Sequence, residues 1–158
     1  LTHESWALHY FLMFIGGGSA GTAGGVKVGT VAILALLVIA EIRGRADTEA
    51  FGRRVGSSAQ RQAITVLVLG SAMVVLGTLV ILRDTDIPTD QVIFEVISAF
   101  GTVGLSTGIT ADLPETSQLM LTLLMYVGRV GTITLAASLA LGEHRMPYRY
   151  PEEHPIVG

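Results

Sequence analysis

Twenty consecutive residues, Ala63 to Leu82, carry no charge. As a helix such a run extends about 30 Å, the thickness of a bilayer's hydrocarbon core. A second run, Thr116–Gly142, has 27 residues and a single charge at Arg129, long enough to cross a membrane with some tilt. The first part of the chain is less regular. Phe11 to Val26 is uncharged but dense in glycine, and only Val28 to Ala40 reads as a continuous helix beyond Lys27. We read a loop that enters a spanning helix ending near Arg43. Half of the residues are hydrophobic and 15% are charged, so the expected class is all-α integral membrane. The chain has no cysteine, which excludes a disulfide framework and a thiolate metal site. His3, His9, His144 and His154 have no metal-ligand spacing, and a net charge of −3 argues against a nucleic-acid partner. The chain opens at Leu1 without a basic segment before a cleavage site. We therefore expect no signal peptide and a start that lies inside a longer protein.

Arginines orient the spans. Arg43, Arg45, Arg53, Arg54 and Arg61 lie between the first two, which the positive-inside rule puts in the cytoplasm. The connection from Arg83 to Glu115 holds one arginine against six carboxylates and belongs outside. Arg145 and Arg149 return the C-terminal tail to the cytoplasm. The same cluster also suits lipid head groups or a docking partner.

The outside connection contains Gln91–Phe100, apolar but too short to span, followed by Gly101, Thr102, Val103, Gly104 and then Leu105 to Gly108. A helix of that length that enters the membrane must come back out. Non-helical backbone at that depth is tolerated only where it is buried in protein or lines a water-filled path. Thr-Val-Gly matches the start of the potassium-channel signature, in which successive carbonyls replace an ion's hydration shell.

A second copy appears when the chain is slid along itself by 83 positions. Gly18, Ser19, Ala20 and Gly21 then fall on Gly101, Thr102, Val103 and Gly104, and Gly25 falls on Gly108. Trp6–Ile15 takes the place of the short helix. The unit is spanning helix, re-entrant pore helix, filter loop, spanning helix, complete once and present again without its first helix. Residues 1–62 would end a third repeat, 63–142 would form a fourth, and 143–158 would be a cytoplasmic tail.

The stretches MFIGGGSAGTAGGVKV, FEVISAFGTVGLSTGIT and GRVGTITLA, with the ending HPIVG, resemble the membrane subunit of the bacterial Ktr and Trk potassium transporter family. The resemblance implies four fused channel-like repeats around one pore in the plasma membrane. Potassium would pass along backbone carbonyls of Gly18, Ser19, Ala20, Gly21, Gly101, Thr102, Val103 and Gly104, with sodium a candidate coupling ion. The preference for potassium over sodium is inferred from the family, since two filter strands lie outside this chain. The resemblance also implies a homodimer on a ring of cytosolic nucleotide-binding regulatory subunits, with a flexible loop under the pore as gate. Gly24, Gly25 and Gly29 at one end, or Gly44, Ala46 and Gly52 at the other, are candidates for that loop. It further places Arg129 against the gating loop, just below the filter. The alternative is a structural pairing of Arg129 with a buried carbonyl or carboxylate, because an arginine near the midplane is costly without a partner.

Other readings fit less of the chain. Gly16, Gly18 and Gly21 satisfy a dinucleotide fingerprint with Glu41 beyond, but the charge-free runs that follow are not alternating strands and helices. A phosphate-binding Walker loop fails because Val26 precedes Lys27 and neither Ser nor Thr follows it. A mere membrane anchor or assembly piece accounts for the spans and not for the paired glycine loops. Glu95, within the short helix, is read as a hydrogen-bonded anchor of the loop or as an ion attractor at the outer mouth. Lys27 is read as pairing locally. No residue suggests a nucleophile or general base, so we expect a transporter and not an enzyme.

Overall fold

A computed structural model of the chain describes residues 3–18, 23–45, 47–50 and 53–141, with side chains for 6–18, 23–45, 47–50 and 53–130. It is mostly helical. The order is α1 (His3–Phe14), β1 (Ile15–Gly16), β2 (Val26–Lys27), α2 (Val28–Ile42), β3 (Glu49–Ala50), β4 (Arg53–Arg54), α3 (Ser57–Asp84), α4 (Thr89–Gly101), a 3-10 turn (Ile109–Asp112) and α5 (Glu115–Leu141).

Helix α3 extends six residues before and two after the charge-free run, because nothing from Ser57 to Asp84 breaks a helix. Gly56 precedes it and the extended Thr85 ends it. Among the described residues it is the one helix long and apolar enough to cross a membrane. Only 22% of its most apolar stretch is buried, and Val68, Val75, Leu76 and Leu79 are each more than half exposed. A core helix of a water-soluble domain would be covered; this apolar face needs lipid or further protein.

Helix α2 has 15 residues, about 22 Å, and so falls short of the bilayer core on its own. It ends where expected, and the cause is a glycine. Gly44 has φ +63°, its N–H bonds to the Glu41 carbonyl at 3.0 Å, and the Arg45 N–H bonds to the Ala40 carbonyl at 2.9 Å. That pair of bonds is the Schellman helix stop. A short antiparallel ladder follows, Glu49 opposite Arg54 and Ala50 opposite Arg53, with an exposed Arg54–Asp47 ion pair at 2.8 Å.

Helices α3, α4 and α5 pack on one another, and α1 packs on α4. Ile81, Val92, Val96, Ala99, Leu121 and Leu124 form the first core. Gly77 lets Leu124 come close: a Cβ there would lie 2.6 Å from Leu124 Cδ1. The second core joins the short helices, with Met13 against Phe94 and Ile97. Edge-on aromatic contacts add to it, Trp6–Phe94 at 5.3 Å and Tyr10–Phe94 at 6.2 Å.

Candidate functional site

The site is built where α4 stops. Thr89 to Gly101 stays helical, and all of Phe94 to Gly101 is buried. The stop is a second Schellman turn: Thr102 N–H bonds to the Ala99 carbonyl at 3.0 Å and Val103 N–H to the Ser98 carbonyl at 2.9 Å. The residue forced into the left-handed region is not glycine but Thr102, at φ +51° and ψ +40°. A β-branched residue there is an outlier that costs on the order of 1–3 kcal/mol. Its surroundings impose the conformation, since the Thr102 hydroxyl accepts the Gly24 N–H at 2.9 Å.

Beyond Thr102 the backbone is irregular, and glycines make its turns. Gly104 has φ +84° and Gly108 φ +94°. Among the described residues, no hydrogen bond is accepted by the carbonyls of Thr102, Val103 or Gly104. The next carbonyl, that of Leu105, accepts the Ser98 hydroxyl at 2.5 Å. The row of unbonded carbonyls is therefore interrupted after Gly104.

Glu95 holds the far side of the loop. Glu95 is 5% exposed and its carboxylate accepts four bonds, three at Oε1 from the Ser106 hydroxyl at 2.6 Å, the Thr107 N–H at 2.7 Å and the Thr107 hydroxyl at 3.0 Å, and one at Oε2 from the Thr110 hydroxyl at 3.1 Å. Of the two roles considered for Glu95, the anchor is what the geometry shows.

The upstream loop differs. Of its four expected strand residues, Gly18 is described and exposed, while Ser19, Ala20 and Gly21 lie outside the described residues. Its helix stops at Phe14 instead of continuing to the position matching Gly101, because Gly16, Gly17 and Gly18 each weaken a helix by about 1 kcal/mol relative to Ala. Ile15 and Gly16 instead pair in parallel with Val26 and Lys27, which closes the loop at its base. Gly25, which falls on Gly108 when the chain is slid by 83 positions, also has positive φ, +73°.

The two loops meet at a junction of glycines. A Cβ on Gly24 would lie 3.0 Å from the Phe100 carbonyl, and one on Gly25 3.2 Å from Gly101 Cα. A Cβ on Gly128 of α5 would lie 1.9 Å from the Phe100 carbonyl oxygen, and one on Gly101 2.6 Å from that of Met13. The Gly25 N–H bonds to the Gly128 carbonyl at 3.3 Å. Only glycine permits this convergence of three segments.

Arg129 follows Gly128 and is thus level with the end of α4. Its side chain is exposed, has no ion-pair partner among the described residues, and borders an open cavity of about 450 Å³. That cavity also meets Ser98, Thr102, Gly104 and Glu95. Of the gate-loop candidates, Gly24 and Gly25 are wedged in the junction, Gly29 starts α2, Gly44 ends it, and Ala46 and Gly52 lie outside the described residues.

Ser98 and Gly128 line or shape this candidate site and were missed by sequence reasoning; for Thr102, named there, only the left-handed backbone was unforeseen. Ser98 carried a signal: with Glu95 it is a polar pair three residues apart on an otherwise apolar helix, hence on one face.

An uncovered apolar helix, with short helices that break into glycine-turned backbone, fits an integral membrane protein, the class to which the family match below assigns the chain. Residues 5–144 match the TrkH family of cation transport proteins, and the chain belongs to that family. It is 39% identical to the potassium/sodium uptake protein NtpJ of Enterococcus hirae, over 100% of this chain and 36% of that protein. It is 37% identical to the Ktr system potassium uptake protein B of Bacillus subtilis, over 93% of this chain and 33% of that protein. For the protein of the same name from Vibrio alginolyticus the figures are 34%, 99% and 34%. The chain spans about a third of the length of these relatives.

Proposed function

We propose that the chain supplies two strands, residues 18–21 and 101–104, to a carbonyl-lined filter through which potassium crosses the plasma membrane. The observation that carries this reading is the row of unbonded carbonyls from Thr102 to Gly104. Val103 and Gly104 are exposed in the chain alone, but at membrane depth in an assembled pore an unpaired carbonyl away from water costs free energy. A dehydrated cation offsets that cost, which is the exchange a filter makes. The names of the relatives agree in kind: uptake of potassium, or of potassium and sodium. Sodium is then the candidate coupling ion. Arg129, beside the inner end of the row, is a gate: a fixed positive charge that opposes cations until it is screened or moved. The gating loop lies after Gly44, since Gly24 and Gly25 are wedged where a moving segment needs room.

In this reading residues 1–62 end a third pore repeat and 63–142 form a fourth. The 43–61 arginines and the C-terminus face the cytoplasm, and the chain crosses the membrane more than once. The whole protein forms a homodimer on a cytosolic nucleotide-binding ring. The test is flux from the reconstituted full-length protein. Potassium uptake that saturates and exceeds sodium uptake supports the filter; intact, correctly inserted protein without cation flux would leave only an anchoring or assembly role.

A further inference from the structure

We propose that Glu95 is a positioning residue for ion selectivity, fixing the angle at which the 101–104 strand presents its carbonyls. The inference rests on the filter reading above and adds to it the residue that makes the strand rigid. Of the four bonds described above, three fall on Glu95 Oε1 and one on Oε2, so the carboxylate is engaged chiefly in holding the loop. The donors span Ser106 to Thr110, and Ser106 extends the hold by accepting the Gly108 N–H at 2.9 Å. One turn along α4, Ser98 holds the Leu105 carbonyl. Gly104 lies between this fixed segment and Thr102, which is tied to Gly24 from the other side. One end of the strand is thereby pinned to buried helix and the other to the Gly24 backbone, and its carbonyl directions follow from the pins.

Position 12, which matches Glu95 in the upstream repeat, is Leu12 and is 59% exposed. The upstream loop is held by the Ile15–Val26 bridge and by the glycine junction instead. A carboxylate cradle is thus a property of the 101–108 loop. Its loss should distort one strand and leave the other in place.

Glutamine has nearly the shape of glutamate: its carbonyl can take the place of Oε1 and its NH2 can donate to the Thr110 hydroxyl, so the exchange removes the charge and keeps the partners. Charge-assisted bonds are roughly twice as strong as neutral ones, so the exchange weakens these pins. In the reconstituted full-length protein, Glu95→Gln should lower the preference for potassium over sodium by about tenfold, the effect of losing one charge-assisted bond. It should also raise KM for potassium. The double variant Ser106→Ala/Thr110→Val removes two donors and leaves the charge; it should move the same ratio in the same direction by roughly threefold, in line with weaker neutral donors. A merely structural role would lower yield and maximal rate while leaving ratio and KM unchanged, and that result overturns the proposal. If Glu95→Gln cannot be isolated, the double variant decides: a shifted ratio supports the role of Glu95, a wild-type ratio overturns it. Gly104→Ser separates the two claims. If it shifts the ratio and the Glu95 and double variants do not, the role of Glu95 falls and the filter stands; if it too leaves the ratio unchanged, the filter reading itself fails.

Discussion

Arg129 is the residue whose cost demands an account. A guanidinium near the middle of a 27-residue apolar helix costs a few kcal/mol even on lenient insertion scales, and long side chains reach the interface only from nearer a helix end. Here it turns to an open cavity beside Thr102 and Gly104 and has no ion-pair partner among the described residues. In the proposed filter reading, a charge so placed acts on whatever passes it. Arg129→Gln should therefore raise potassium flux, by at least severalfold if the electrostatic barrier drops by about 1 kcal/mol or more, and weaken regulation by the cytosolic partner. Flux from a well-expressed variant checks this, and an unchanged rate would leave Arg129 a structural role. The position of Arg129 was legible in the sequence as the one charge in a long apolar run. The four bonds of Glu95 were not, because its partners lie 11 to 15 residues away and meet it only through the path of the loop.

At the scale of elements, glycines decide which surfaces touch. Gly128 has no room for a Cβ, since the obstacle is the Phe100 backbone carbonyl, held in a buried helix. At Gly77 the obstacle is the end of the Leu124 side chain, which can turn aside. Gly128→Ala should therefore destabilise by more than about 4 kcal/mol, in the exceptional range for a single change. Gly77→Ala should cost about 1–3 kcal/mol, the usual penalty of overpacking. Thermal unfolding of the detergent-solubilised protein orders the two. Helix α3 was legible from its missing charges, and α4 to within two residues from a run of apolar positions between Pro88 and the glycines. The end of α1 was legible as well, since the expected Trp6–Ile15 stops one residue beyond the observed Phe14, where Gly16–Gly18 mark the break; its start at His3 was not. The contact of Gly25 with Gly128 joins residues over a hundred positions apart, and no local pattern encodes it.

For the whole molecule, charge and apolar surface give a direction in the membrane. Glu49, beside the arginine-rich ladder, and Asp86, after α3, are both exposed and fall on opposite sides in this account. Thr48, although close by, is buried and would be a poor reporter. Single cysteines at 49 and 86, in full-length protein without other cysteines, should label with an impermeant thiol reagent from outside at 86 and not at 49; the opposite pattern reverses the topology. How the two loops combine is a question of the whole pore, because in the proposed reading each contributes one strand, and the glycine junction brings Gly24 and Gly25 against the end of α4. The central claim is that these strands select the ion, and Gly104 exposes it most directly. At φ +84° a side chain is strained even though the space around it is open, so serine there must turn the neighbouring carbonyls. Potassium and sodium uptake should be measured side by side in reconstituted Gly104→Ser protein. The account predicts a fall of about tenfold or more in the preference for potassium, the effect of some 1.4 kcal/mol at the filter; a wild-type preference in correctly inserted protein would contradict it.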